Sequence, residues 1–188
     1  DTISTPPDPR KDTMASSLLT DLRELVIDEA EPLSGLLRKC LLLGAETGSQ
    51  GLREWARFEL KGYPDGAEVP AYRSIHAGMT ISYVSGYNVV SGQSWSWLNL
   101  PAEAREIVPE QLTLRSPLAE LEQMATQEAV QFGSGRLSAA LQILNSTLPF
   151  GQEAHELAYS VPGATLAGVF NMGGAAVANY VSILERTS

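Results

Sequence analysis

From Leu157 to Leu184 no side chain carries a charge. A stretch of that length fits a membrane span, a helix buried in a core, or a helix covered by another copy of the chain. Pro162, Thr165, Asn171, Asn179, two serines and four glycines dilute its hydrophobicity, and no Lys/Arg cluster flanks it to set a membrane orientation. The sequence therefore favours a buried or self-associating helix, from about Gly163 to Arg186, over a span. Small residues recur in it four apart, as Ala164–Gly168 and Gly174–Ala178. That spacing lets helix backbones approach closely, either in homo-oligomerisation or in packing against the rest of the chain.

The remainder has the composition of an ordinary folded protein. A chain of 188 residues fits one domain. Thirteen Lys and Arg against 22 Asp and Glu leave a net charge of −9, which argues against a nucleic-acid surface, because phosphate binding needs a basic field or patch. The single cysteine excludes an intramolecular disulfide and a cysteine metal cage. No basic region followed by an apolar run marks an export signal, so a cytoplasmic protein is expected. No residue pattern calls for a cofactor or a metal.

The chain divides by composition. Residues 1–13, DTISTPPDPRKDT, are polar and lack periodicity, and MASSLL reads as a start, so residues 1–15 are expected to be a disordered extension or a vector-derived remnant. One domain over 16–188 follows. Ser16 or Ser17 caps a helix in which Leu18, Leu22, Leu25 and Val26 make one apolar face. Pro32 ends it or starts the next, LSGLLRKCLLLGAE, which is apolar nearly all round. Ser49 precedes QGLREWARFELKGY, where Gly62 and Pro64 stop the helix. Residues 16–63 are thus a helical unit. Residues 64–100, with a DG turn and a Thr-, Val-, Tyr- and Trp-rich run punctuated by Gly86 and Gly92, read as turns and strands. Residues 101–188 read as helices with one short strand, EAVQF. The expected class is α+β and α-rich: an N-terminal antiparallel three-helix unit, a small antiparallel sheet in the middle, and a long C-terminal helix.

Several groups of residues have chemical potential, and each has a plainer reading. Asp21, Glu24 and Asp28, with Glu29 and Glu31 nearby, can ligate a divalent cation or form a solvated acidic face. Cys40, among leucines, suits a buried hydrophobe better than a nucleophile. His76 and His155 lack metal spacing. Gly133, Gly135 and Arg136, in GSGR ahead of a helix, are a candidate anion-binding loop or a plain turn. Tyr83, Tyr87, Trp95 and Trp97 form either a stacking platform or cross-strand and core pairs.

One resemblance stands out. The opening helix through PLSGLLRK, the leucine-rich helix to Ala45, the motif LREWARFELKGY and the P-x-Y-R of Pro70, Tyr72 and Arg73 resemble the N-terminal module of bacterial AbiTii-domain proteins. The likeness is close over residues 17–75 and diffuse beyond. The C-terminal helix, at 161–186, is similar in position but lacks basic residues in its middle. The resemblance implies a role in abortive infection, in which an infected bacterium is halted or killed to stop phage spread, and it brings no catalytic motif to transfer. Within the matched motif, Trp55, Leu60 and Tyr63 anchor the helix exit. Glu59 and Arg73 either pair to pin the loop or, with Arg57 and Tyr72, frame a candidate ligand pocket.

These readings give three functional expectations. The first is a non-catalytic, self-associating module of an antiphage defence protein, a homo-oligomer that controls a fused or neighbouring effector. The second is a toxin enzyme acting on a nucleotide or nucleic acid through Arg57, Glu59, Tyr72 and Arg73. The third is a membrane-active effector using residues 157–184.

Overall fold

The leucine-rich segment behind Pro32 forms a helix, α2 (Leu33–Glu46), with Leu36, Leu37, Cys40 and Leu43 turned into a core. A computed structural model describes residues 9–28 and 32–187, and its contacts divide the helix-rich α+β chain into two compact units. The first comprises the chain up to Glu68, Arg115–Glu122 and Ala167 onward. It holds α1 (Pro9–Ile27), α2, α3 (Gln50–Lys61) and most of α7 (Gly163–Thr187). Leu22 of α1, Leu52, Trp55 and Ala56 of α3, and Val177 and Val181 of α7 complete its core. Trp55 stacks at a tilt on Tyr180, with centroids 4.8 Å apart. Each fully buried leucine here contributes about 2 kcal/mol.

The first helix starts at Pro9 rather than at a Ser16 or Ser17 cap, so it takes in residues assigned above to a disordered extension. Proline suits a first helical turn, where its missing N–H costs nothing, and Arg, Lys, Met and Ala behind it are good helix formers. Glu29 and Glu31 lie outside the described residues; Asp21, Glu24 and Asp28 are exposed.

The second unit contains Val69–Leu114 and Gln123–Leu166. Its four-stranded antiparallel sheet has the order β3-β2-β6-β5, from β2 (Gly78–Ser85), β3 (Asn88–Trp95), β5 (Ala129–Phe132) and β6 (Gln152–Pro162). A two-stranded sheet pairs β1 (Ser74–His76) with β4 (Gln111–Thr113). One face of the larger sheet carries Met79, Ile81, Leu157 and Tyr159 against Ala104 and Val108, at and just beyond α4 (Ala102–Ile107), and Leu137, Ala140 and Leu144 of α6 (Gly135–Thr147). The remaining helix is α5 (Leu118–Ala125).

The expectation of a single short strand in residues 101–188 is corrected by β4, β5 and β6, all in that range. The longest of them, β6, is an interior strand of the sheet. A bulge hides it from a period-two reading. The register shifts between Ser82 and Tyr83 of β2, so Ser82 faces Glu156 and Tyr83 faces Ala154, with His155 left over. The buried positions are 154, 157, 158, 159 and 161, and the step from 154 to 157 puts the alternation out of phase by one. Gly92 does not end a strand. It sits inside β3 at a second register shift, at φ +62°, and its N–H donates to the buried Ser82 Oγ at 3.0 Å.

Candidate functional site

The motif ELKGY ends α3 in a tightly pinned exit. Glu59 is only 2% exposed, and Tyr63 Oη donates to its Oε1 at 2.7 Å. Gly62 closes the helix at φ +91°, and a Cβ there would lie 2.9 Å from Arg115 O, so glycine is required. The Tyr63 N–H donates to Arg115 O, and Arg115 Nη1 returns to Pro64 O at 2.7 Å. Beside this exit Arg57, Phe58, Lys61, Tyr63, Arg115 and Pro117 line a hollow of about 500 Å³.

The four residues of the candidate ligand pocket belong to different units. Arg57 and Glu59 lie on α3 in the first unit, and Tyr72 and Arg73 lie on a 3₁₀ turn, Ala71–Arg73, in the second. Arg57 is exposed, meets Glu54 at 3.6 Å and lies over the Phe58 ring. Arg73 is fully buried. Its Nη1 donates to Leu114 O at 3.1 Å, and its own carbonyl accepts from the Leu114 N–H at 2.8 Å.

The loop at Gly133, Gly135 and Arg136 is exposed, and neither glycine takes a positive φ. Ser134 caps α6 by accepting from the Leu137 N–H, which occupies one of the donors an anion would use. His76 and His155 are exposed, His76 Nε2 lying 3.1 Å from Gln111 Nε2. Tyr83, Trp95 and Trp97 pack on the second core, whereas Tyr87 stands free at the β2–β3 turn. Burial pushes the Cys40 thiol up to about 12, the environment of an inert cysteine.

The helix α7, without charge as far as Leu184, has two sides. Leu166, Val169, Gly173, Val177 and Val181 are buried. On the other side Ala164, Ala167, Gly168, Asn171, Met172, Ala175, Asn179 and Ile183 are exposed, an i, i+4, i+7, i+11 stripe over most of its length. Only 28% of its most apolar window is buried. Among the described residues, nothing lies within 4 Å of a Cβ built on Gly168 or Gly174. Of the four residues singled out in the sequence, Ala164 and Gly168 lie on the exposed stripe, and Gly174 and Ala178 are half-buried at its margin. Small-residue spacing pointed to this helix, while its open side follows only from which residues α1–α3 leave uncovered.

A family model named AbiTii matches residues 17–187. The chain belongs to the AbiTii family. The match extends well past the 17–75 segment on which the likeness was first legible and takes in both units and α7. No curated protein and no solved structure was found to match the chain. Membership in AbiTii brings the association with bacterial abortive infection that the resemblance implied.

Proposed function

We propose that this AbiTii protein is a non-catalytic, cytoplasmic, self-associating module whose α7 stripe joins copies of the chain and thereby controls a fused or neighbouring defence effector. The observation that carries this reading is the exposed side of α7. A helix surface facing water ordinarily carries charge, and an exposed stripe of Ala, Gly, Met and Asn over five turns is the surface expected between closely packed helices. Glu59 and Arg73, which a nucleotide-directed toxin would need, are engaged as the hydrogen-bonded groups described above, which favours a structural task for both.

Light scattering after size exclusion, without detergent and over a micromolar concentration series, tests it. A defined oligomer is expected. Gly168→Leu should convert it toward monomer, because the added side chain blocks close approach of a second helix. A Cβ at this position meets no atom of the described residues within 4 Å, and the change adds helix propensity of about 0.8 kcal/mol, so the variant is expected to keep its circular dichroism and to melt no lower. A monomer throughout the series contradicts self-association. Recovery of the protein only from membranes with detergent contradicts it in favour of a membrane-active effector, since Gly163–Leu184 is long and apolar enough to cross a bilayer.

A further inference from the structure

The hollow beside the α3 exit lies wholly within the first unit, and the α7 reading does not use it. Its charge is of one sign. Arg57 and Lys61 of α3 and Arg115, ahead of α5, line it, and no acidic side chain does. Its volume of about 500 Å³ is in the range of small-molecule sites, and Phe58, Pro64 and Pro117 give it an apolar side. The basic row continues one turn back along the helix. Arg53, Arg57 and Lys61 recur four apart on α3, and Arg53 lines a second hollow that shares Arg57.

This row is unbalanced in a chain that has acid to spare. Against 13 Lys and Arg stand 22 Asp and Glu, yet among the described residues Arg53, Lys61 and Arg115 pair with no carboxylate, and Arg57 has only its 3.6 Å contact with Glu54. Like charges four apart repel and weaken a helix, a cost that a bound anion removes. Arg115 is also fixed in place. Its carbonyl accepts from the Tyr63 N–H at 2.8 Å, and its Nη1 donates to Pro64 O at 2.7 Å and to Ala67 O at 3.3 Å. These partners are neutral. Asp65 and Glu68, on the loop that Arg115 grips, are exposed and make no ion pair with it. The guanidinium therefore keeps its charge, and a fork positioned in advance suits the oxygens of a phosphate.

We infer that this hollow binds a compact molecule of the nucleoside di- or triphosphate class, with its phosphates on Arg57, Lys61 and Arg115 and its ring against Phe58. Three cations around one hollow match a short chain of phosphates. The net charge of −9 repels a long polyanion along its whole length, whereas a compact one meets only the local field, so the occupant is a small molecule and not a nucleic acid. No carboxylate, histidine, serine or cysteine lines the hollow, and the Tyr63 hydroxyl is engaged with Glu59. The site thus offers its ligand neither a general base nor a nucleophile, and its task is binding.

ATP is the probe, with inorganic tripolyphosphate beside it, each titrated calorimetrically into the full chain at low salt. ATP should bind saturably, one to one, and at least about fivefold more tightly than tripolyphosphate, because only ATP brings a ring to stack. Arg57→Glu and Lys61→Glu, both at exposed positions, should each weaken binding at least about tenfold. Glu54→Gln, which releases Arg57, should strengthen it about twofold. Arg136→Glu, at the exposed glycine loop of the second unit, should leave it unchanged. In ¹H–¹⁵N spectra of the unaltered chain the Gly62 and Tyr63 amides should move while those of Gly133 and Gly135 stay. No saturable binding overturns the inference. So does binding that survives both charge reversals, that is lost in Arg136→Glu, or that moves the Gly133 and Gly135 amides instead. Equal affinities for ATP and tripolyphosphate overturn the contact between ring and Phe58. Tighter binding of a single-stranded oligonucleotide than of ATP overturns the choice of a compact ligand. The spectra of the unaltered chain decide the matter should either charge reversal fail to fold.

Discussion

Replacing Gly163 by alanine will destabilise the second unit by about 3 kcal/mol or more, the largest effect expected of any single methyl group in the protein. Gly163 is the first residue of α7, directly after β6, and its N–H donates to Glu128 O at 3.1 Å. A Cβ on it would stand 2.1 Å from Gln127 O and 2.5 Å from Ala125 O. Both obstacles are backbone oxygens, so no rotamer change relieves the clash, and the segment after α5 must move away from the junction. Thermal and urea unfolding of Gly163→Ala, compared with Gly168→Leu in the same helix, measure it. A shift in midpoint no larger than that of Gly168→Leu would mean that the strand-to-helix junction is looser than described.

Arg73→Ala will cost about 3–5 kcal/mol, because it removes a fully buried large side chain and the charged donor that Leu114 O accepts. Arg73 and Leu114 are joined twice, side chain to backbone and backbone to backbone, which holds the entry to β1 against the exit of β4. Arg73→Met keeps most of the volume and loses only the charged head, so it should fall between the two. This series separates structural pinning from a ligand pocket. A pinning residue lowers the unfolding midpoint in the order Met, then Ala. A ligand-binding arginine leaves the midpoint nearly unchanged while the variant loses activity in a phage-protection assay in which the unaltered chain is active, and that outcome would return Arg57, Glu59, Tyr72 and Arg73 to consideration as a site.

The parts of the fold that follow local rules were readable in the chain. Pro32 marked the start of α2, Gly62 and Pro64 marked the end of α3, and the helix expected from about Gly163 to Arg186 is α7, Gly163–Thr187. The strands were harder. The two register shifts at Ser82 push the buried residues of β6 out of alternation, and charged residues at 153 and 156 interrupt what remains, so the central partner of β2 did not look like a strand. Tertiary pairing decides such a segment, and pairing is not local. The start of α1 was missed because proline and threonine made its first turn look like a tail.

The functional features divide along the same line. Small residues spaced by four made α7 suspect, but whether they face the core or solvent depends on where the other helices lie. Glu59 and Arg73 were conspicuous as charges at a chain reversal, and the hydrogen bonds to Tyr63 and Leu114 give each a structural task.

The self-association of α7 is tested most directly by cross-linking. Ala175→Cys places a thiol in the middle of the exposed stripe, and Ser138→Cys places one on the exposed side of α6 as a control. Cys40 stays out of the reaction, buried and with its thiol pushed up to about 12. A disulfide needs Cα atoms within about 7 Å, so it forms readily only where two copies of the helix approach closely. Under mild oxidation at low micromolar concentration, Ala175→Cys should run as a covalent dimer on a non-reducing gel and Ser138→Cys as a monomer. Two monomers, or equal cross-linking at both positions, would contradict the assignment of α7 as the contact between copies.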